Sequence, residues 1–289
     1  MKAATLATLR LAGLPVPPLS VVTTAGFLTH LHVNGISLPL GPISLADIEA
    51  VRQAVRSAPL PATVRAAAVR GYQSLGLRAG APASVAVRSS AVAEDGFSAS
   101  FAGQFDSFLA VRGEELLVQR VKDCWASYLS DRSAQYRAAR GTIEEVPLMA
   151  VIMQCQIFAT KAGVMFTRHP VVADPSLVYV EANFGTGESV VAGMVTPDSI
   201  TMSRDTMSIV EATVAQKSTM TVVTPEATDS STIATPADLV HEPVLTAAQA
   251  RALLDAGLWI ERELGAPQDV EWAIDGNQLW IIQARPITT

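Results

Sequence analysis

A few polar side chains stand in apolar surroundings, and their types suit phosphate and metal chemistry. Glu271, Gln283 and Arg285 lie among Val270, Trp272, Leu279, Trp280, Ile281 and Ile282 in the segment DVEWAIDGNQLWIIQARP. Polar groups embedded in apolar strands must face solvent or be satisfied by a ligand. Glu and Gln offer the hard oxygen donors that Mg2+ takes, and Arg grips a phosphate that the metal also touches. An ordinary two-faced hairpin accounts for the same pattern. Arg88 ends the apolar run VAVR and is followed by Ser89, Ser90 and a small-residue segment reaching Gln104. Small residues let backbone N–H groups approach phosphate oxygens, and Arg adds charge-assisted hydrogen bonds. A surface loop opening on a solvated Arg fits equally well.

Whether the terminal group can converge depends on parity. Alternate residues of a strand share a face. With a two-residue turn and an unbroken ladder, Glu271 falls opposite Ile282 or Trp280, on the wrong side for Gln283 and Arg285. A three-residue loop, Asp275-Gly276-Asn277, or a compensating bulge puts all three together. The expectation is one of these two devices, with Val270, Trp272, Trp280 and Ile282 packed toward the core.

Other chemistries find little support. No G-x-x-x-x-G-K-[ST] run occurs, and Gly185-Thr186-Gly187-Glu188 lacks the third glycine of a dinucleotide fingerprint. His30, His32, His169 and His241 are not at zinc-ligand spacing apart from the close pair at 30 and 32, and no nucleophile elbow is present. A net charge of -6 argues against a nucleic-acid surface, so any anion site is local. Cys124 and Cys155 form no dense disulfide framework, which suits a reducing cytoplasm. No apolar run approaches the ~20 residues of a membrane span, and Arg10 with Pro15, Pro17 and Pro18 breaks the resemblance of the amino terminus to a secretion signal.

The elements that must position these residues follow from periodicity. Short helices are expected over 3–12, 46–58 and 65–77, with an extended Pro-rich passage leading into SVVTTAGF. VAVRSS reads as a strand emptying into a loop, FDSFLAV as a strand, and Glu114 to Arg140 as the longest helix. From Pro147 the texture changes to short strands: LMAVIMQ, AGVMFTR, LVYVEAN, SITM and MSIVEATV. Residues 225–238 read as an exposed, mobile loop. Thr246 with Gln249 matches a capping box opening a helix that Gly265 and Pro267 stop, and the terminal hairpin follows.

Four blocks then carry a resemblance. VAVRSSAVAEDGFSASFAGQFDSFL, AGVMFTRHP, EANFGTGESVVAGMVTPDSI and DVEWAIDGNQLWIIQARP resemble, in order, segments of the nucleotide-binding domain of the phosphoenolpyruvate synthase, pyruvate phosphate dikinase and rifampicin phosphotransferase family. The opening KAATLATLRLAGLPVPPLSVVTTAGF is similar to that family's amino terminus, although the glycine pair before the lysine is missing. The resemblance implies an α+β, ATP-grasp-like fold, with lobes over 1–152 and 153–289 holding ATP and one or two Mg2+. It implies that Lys2 and Arg88 hold phosphates and that the loop 98–104, with Ser100, Gly103 and Gln104, closes over them. Gln154, Gln156 and Ile157 would form the adenine hinge, Glu271 and Gln283 would bind magnesium, and Arg285 would join Arg88 in stabilising the transferring phosphates.

Relatives continue after QARP into a swivelling domain with a phosphorylated His, whose context none of the four histidines matches. His169, in TRHP, reads as structural. The expected activity is therefore an ATP-dependent, dikinase-like phosphotransferase module acting with a separate phosphohistidine or acceptor protein. Two alternatives stay open: a free-standing kinase or ligase acting on a small molecule, and a non-catalytic nucleotide-binding regulator.

Overall fold

A computed structural model describes residues 2–38, 45–78, 81–91, 95–96, 99–100, 105–129 and 149–287. They fall into two compact units, one of Pro18–Gln156 and one combining Lys2–Pro17 with Ile157–Thr289. Residues 2–17 pack with the carboxy-terminal half. In the helix α1 (Lys2–Leu11), Leu6 and Leu9 are buried. The segment after it lies along the last strand, with the Ile281 N–H donating to Pro15 O at 2.9 Å.

The first unit is built on an antiparallel sheet ordered β1 (Leu19–Val22), β8 (Met149–Cys155), β4 (Val85–Ala91) and β7 (Ser107–Val111). One face packs into a core with α2 (Thr24–Val33), α3 (Leu45–Ser57), α4 (Ala62–Ser74) and α5 (Glu114–Ser127). Trp125 is its centre, fully buried, stacked on Phe27 at 5.1 Å and near the ring of His30 at 5.3 Å. The expected extended passage holds through β1, and the helix α2 begins inside SVVTTAGF at Thr24. TAGFLTHLHV has a central Gly and several β-branched residues, so propensity opposes a helix, and burial of Phe27 and Leu31 overrides it. Residues 130–140 of the long helix expected after Glu114 lie outside the described residues.

Two short ladders complete this unit, β2 (Leu77–Arg78) with β3 (Ala81–Pro82) and β5 (Asp95–Gly96) with β6 (Ala99–Ser100). The second lies inside the segment expected to be loop.

The second unit is a six-stranded antiparallel sheet ordered β12 (Ser208–Thr213), β11 (Asp198–Ser203), β10 (Leu177–Phe184), β9 (Lys161–Phe166), β15 (Gln268–Asp275) and β16 (Gln278–Pro286). The short helix α6 (Glu188–Val191) follows β10, and α7 (Ala247–Leu264) crosses the side on which Met165 meets Gly257. The capping box forms: Thr246 Oγ1 accepts from Gln249 N while Gln249 Oε1 accepts from Thr246 N, and Gly265 ends the helix at φ +72°. Residues 225–238, expected to be loop, instead carry β14 (Ser231–Ala234), paired with β13 (Thr219–Val222). Its four residues are exposed, so it lacks the apolar alternation by which a strand is recognised. A buried ion pair anchors the β13 end: Lys217 Nζ lies 2.6 Å from Asp198, whose carboxylate also accepts from Ala215 N and Val244 N. Among the described residues no helix is long and apolar enough to cross a membrane.

Candidate functional site

The hairpin β15–β16 solves the parity problem with a bulge. Its turn is a two-residue loop, Gly276-Asn277, closed by Asp275 opposite Gln278. Gly276 has φ +60° at the first central position, where a type II′ turn demands Gly. Pairing runs Ile274 to Leu279, Ala273 to Trp280 and Trp272 to Ile281, then shifts so that Glu271 faces Gln283, Val270 faces Ala284 and Asp269 faces Arg285. Ile282 is the extra residue. In an unbroken ladder that paired Ile282 with Glu271, Gln283 and Arg285 would project to the side of Val270 and Trp272.

Directly paired residues project to one side with Cβ atoms about 5 Å apart, so Glu271 and Gln283 are neighbours on the face opposite Trp272. The expected companions change. Val270 and Trp272 are buried on the α7 side, as is Ile281, but Trp280 pairs with Ala273 on the Glu271 side. Trp280 and Ile282 pack there against Ile157, Ala162 and Ala273. The bulge thus corrects the expectation that they face the core.

This open face continues across the sheet. Asp269, Glu271 and Ala273 stand beside Phe166, Val164 and Ala162 of β9, which stand beside Tyr179, Glu181 and Asn183 of β10. The face therefore has rows of different chemistry. An apolar row holds Ala273, Ala162 and Trp280, next to Ile157. The following row reads Gln283, Glu271, Val164, Glu181, and the next Arg285, Asp269, Phe166, Tyr179. The Gly185–Gly187 turn closes the apolar end, with Gly187 over Ala162. Gly185, at φ +80°, sits where a Cβ would meet Thr221 O at 2.0 Å, and Asn183 Nδ2 donates to Thr219 O at 3.2 Å.

Asp269 is a site residue that sequence reasoning missed. Arg285 Nε and Nη2 both donate to its Oδ2, at 2.8 and 2.5 Å. Burial pushes the Asp269 carboxyl above its ordinary value; the Arg285 guanidinium and its hydrogen bonds oppose this, and Glu271 adds like-charge repulsion. Arg285 is thereby held in one orientation. Gln283 is 5% exposed, and its amide makes no hydrogen bond among the described residues. The tyrosine one row away is tied in as well: Tyr179 Oη donates to Glu181 Oε1 at 3.3 Å, and burial, then the Glu181 charge, raises its pKa. His169 is held structurally, with Nδ1 accepting from Val171 N and Val172 N at 3.2 and 3.0 Å and its ring 4.8 Å from Tyr179.

In the first unit, Arg88 and Gln154 share the sheet face opposite the helices, since Arg88 pairs with Ile152 and Ala86 with Gln154. Gln156 Oε1 accepts from Ala110 N at 3.2 Å and supports that residue at φ +55°, where β7 departs from regular pairing. Its amide oxygen is thus engaged in the sheet. Ser100 lies in the backbone of β6, while Gly103 and Gln104 are outside the described residues. Lys2 opens α1, the helix that packs on β16 in the second unit.

Comparison with known proteins gives a consistent result. A family model described as pyruvate phosphate dikinase, AMP/ATP-binding domain, matches residues 1–289. The chain is 36% identical over 300 residues to a probable phosphoenolpyruvate synthase of Methanocaldococcus jannaschii, covering 100% of this chain and 25% of that protein. It is 37% identical over 251 residues to the phosphoenolpyruvate synthase of Pyrococcus furiosus, covering 84% and 31%. It is also 35% identical over 278 residues to the prodigiosin synthesizing transferase PigC of Serratia marcescens, covering 96% and 30%. The chain thus spans roughly a quarter to a third of these relatives' lengths.

Proposed function

Because this chain belongs to the pyruvate phosphate dikinase AMP/ATP-binding domain family, we propose that it binds Mg·ATP on the open face of the second unit and activates it for transfer to a separate acceptor. The observation that carries the reading is the bulge at Ile282, which sets Glu271 and Gln283 side by side next to the Asp269–Arg285 pair. A carboxylate beside an amide oxygen fits a small hard cation that takes few protein oxygens. Glu271 and Gln283 would hold Mg2+, which when bound neutralises phosphate charge and polarises the transferring phosphoryl group.

The protein's own part is positioning and charge. Asp269 fixes the plane of Arg285, so that its positive charge meets phosphate oxygens without reorganising. Ile157, Ala162, Ala273 and Trp280 offer the adenine ring an apolar seat at the other end. Arg88 and Lys2 are proposed to add phosphate contacts, with Gln154, Gln156 and Ser100 as further nucleotide-contacting candidates; Gly103 and Gln104 lie outside the described residues. In this reading the architecture is ATP-grasp-like, in a cytoplasm that keeps its cysteines reduced.

The acceptor is a phosphorylatable His on a partner, and ATP yields AMP and phosphate as in the dikinase chemistry the family name implies. Incubation of the chain alone with β- or γ-labelled ATP should leave no acid-labile, base-stable label on it. Adding a relative's His-bearing domain in trans should move label to that domain and release AMP. Label on His169 or His241 would overturn the partner assignment, and ADP as product would replace dikinase chemistry with direct transfer to a small molecule.

A further inference from the structure

Gly187 is a glycine that neither its own backbone nor its neighbours require. Its φ of −73° and ψ of −6° are helical, a conformation open to any residue. A Cβ built on it would meet only Ala162 Cβ at 3.6 Å and Gly163 N at 3.8 Å, both ordinary contacts. Every other glycine with described surroundings either has φ between +60° and +93° or would bring a Cβ closer than 3.0 Å to a neighbour. In a helical conformation alanine loses less freedom on folding than glycine, so folding alone favours a side chain at this position. The turn that carries Gly187 is also fixed on both flanks. Gly185 N donates to Thr160 O at 2.9 Å and Thr186 N to Thr221 O at 2.7 Å, while Gly187 O accepts from Val190 N at 3.1 Å and Val191 N at 3.0 Å.

We propose that Gly187 is a contact residue for the base of the nucleotide, its missing side chain keeping the floor beside Ala162 clear for the edge of the purine ring. This rests on the reading of the open face as the nucleotide site. Trp280, Ala273 and Ala162 stand in one cross-strand row, and at about 4.8 Å per strand the row runs roughly 10 Å from Trp280 to Ala162. Gly187 bounds that row at Ala162. Any side chain at 187 would lie on the same floor and shorten the seat, because the hydrogen-bonded turn is held against the sheet and cannot retreat. Glycine is the residue that lets backbone approach a ligand closely. The position thus gives up stability for ligand room, as binding sites commonly do.

The test measures, on the full chain, the melting temperature without ligand and the calorimetric affinity for Mg·ATP. Gly187→Ala should melt at or above the wild-type temperature and bind Mg·ATP several-fold more weakly. Gly187→Val, with the larger side chain, should bind more weakly still. A glycine kept for structure alone predicts the opposite pairing, a lower melting temperature with affinity unchanged or falling alongside it. Wild-type affinity in Gly187→Ala, or a lowered melting temperature in that variant, would overturn the inference. Should Gly187→Val fail to fold, Gly187→Ala decides alone. No Mg·ATP binding by the wild type, or binding that Glu271→Gln leaves unchanged, would instead overturn the underlying assignment of the face.

Discussion

Arg285 shows what a single residue needs before it can serve a phosphate. Its Nε and Nη2 both donate to one oxygen of Asp269, which locks the guanidinium plane. Lys keeps the charge but not the fork. Arg285→Lys is therefore expected to weaken Mg·ATP binding about tenfold, or about 1.4 kcal/mol, with little change in melting temperature. Calorimetric affinity equal to wild type would mean that the guanidinium does not touch phosphate. Glu271, Gln283 and Arg285 were legible in the sequence because each is polar within an apolar strand. Asp269 was not. Its meaning comes from standing opposite Arg285, and register across strands is not written in local composition.

At the scale of elements, the decisive feature is the bulge. Parity alone required an odd turn or a bulge for Glu271 and Gln283 to meet, and the structure uses the bulge with a two-residue turn. Which side Trp280 and Ile282 would take was not legible, because the position of the extra residue decides it. Deleting Ile282 should leave an unbroken ladder in which Gln283 still faces Glu271 and Arg285 still faces Asp269. The expected outcome is Mg·ATP binding within a few-fold of wild type, with stability lowered by loss of the Ile282 side chain from the cluster of Ile157, Ala162 and Ala273. Loss of binding in a folded deletion variant would mean that the bulge itself, and not only the pairing of Glu271 with Gln283, is required. The α2 and β14 elements were missed for opposite reasons, one a helix formed by packing against propensity, the other an exposed strand with no buried face.

The α2 helix also predicts a pH response. His30, on that helix, is buried beside Trp125, and its Nε2 bonds Val55 O at 3.0 Å. Burial chiefly lowers its pKa from 6.5; the Val55 contact opposes this and Lys122 assists it. A folded value below the unfolded one means the unfolded chain binds the proton first. Stability is then fully present above about pH 6.5 and declines as pH falls toward the folded value. The slope approaches roughly 1 kcal/mol per pH unit. Chemical denaturation from pH 7.5 to 5 should show this decline, reduced in His30→Gln. An equal decline in that variant would assign it to other groups.

For the whole molecule, the matched family supports nucleotide binding, and the chain spans a quarter of one such relative's length. An overall charge of -6 leaves anion binding to local devices, and in the proposed reading the open face of the second unit supplies them: a pair of oxygen donors for a cation, a fixed Arg and an apolar seat. The measurement that tests this most directly is calorimetric binding of ATP to the wild type and to Glu271→Gln, each with Mg2+ and with the metal chelated. Metal-dependent binding by the wild type, reduced at least tenfold in a folded Glu271→Gln protein, is predicted. Equal affinity in both proteins, or binding indifferent to the metal, would contradict the account.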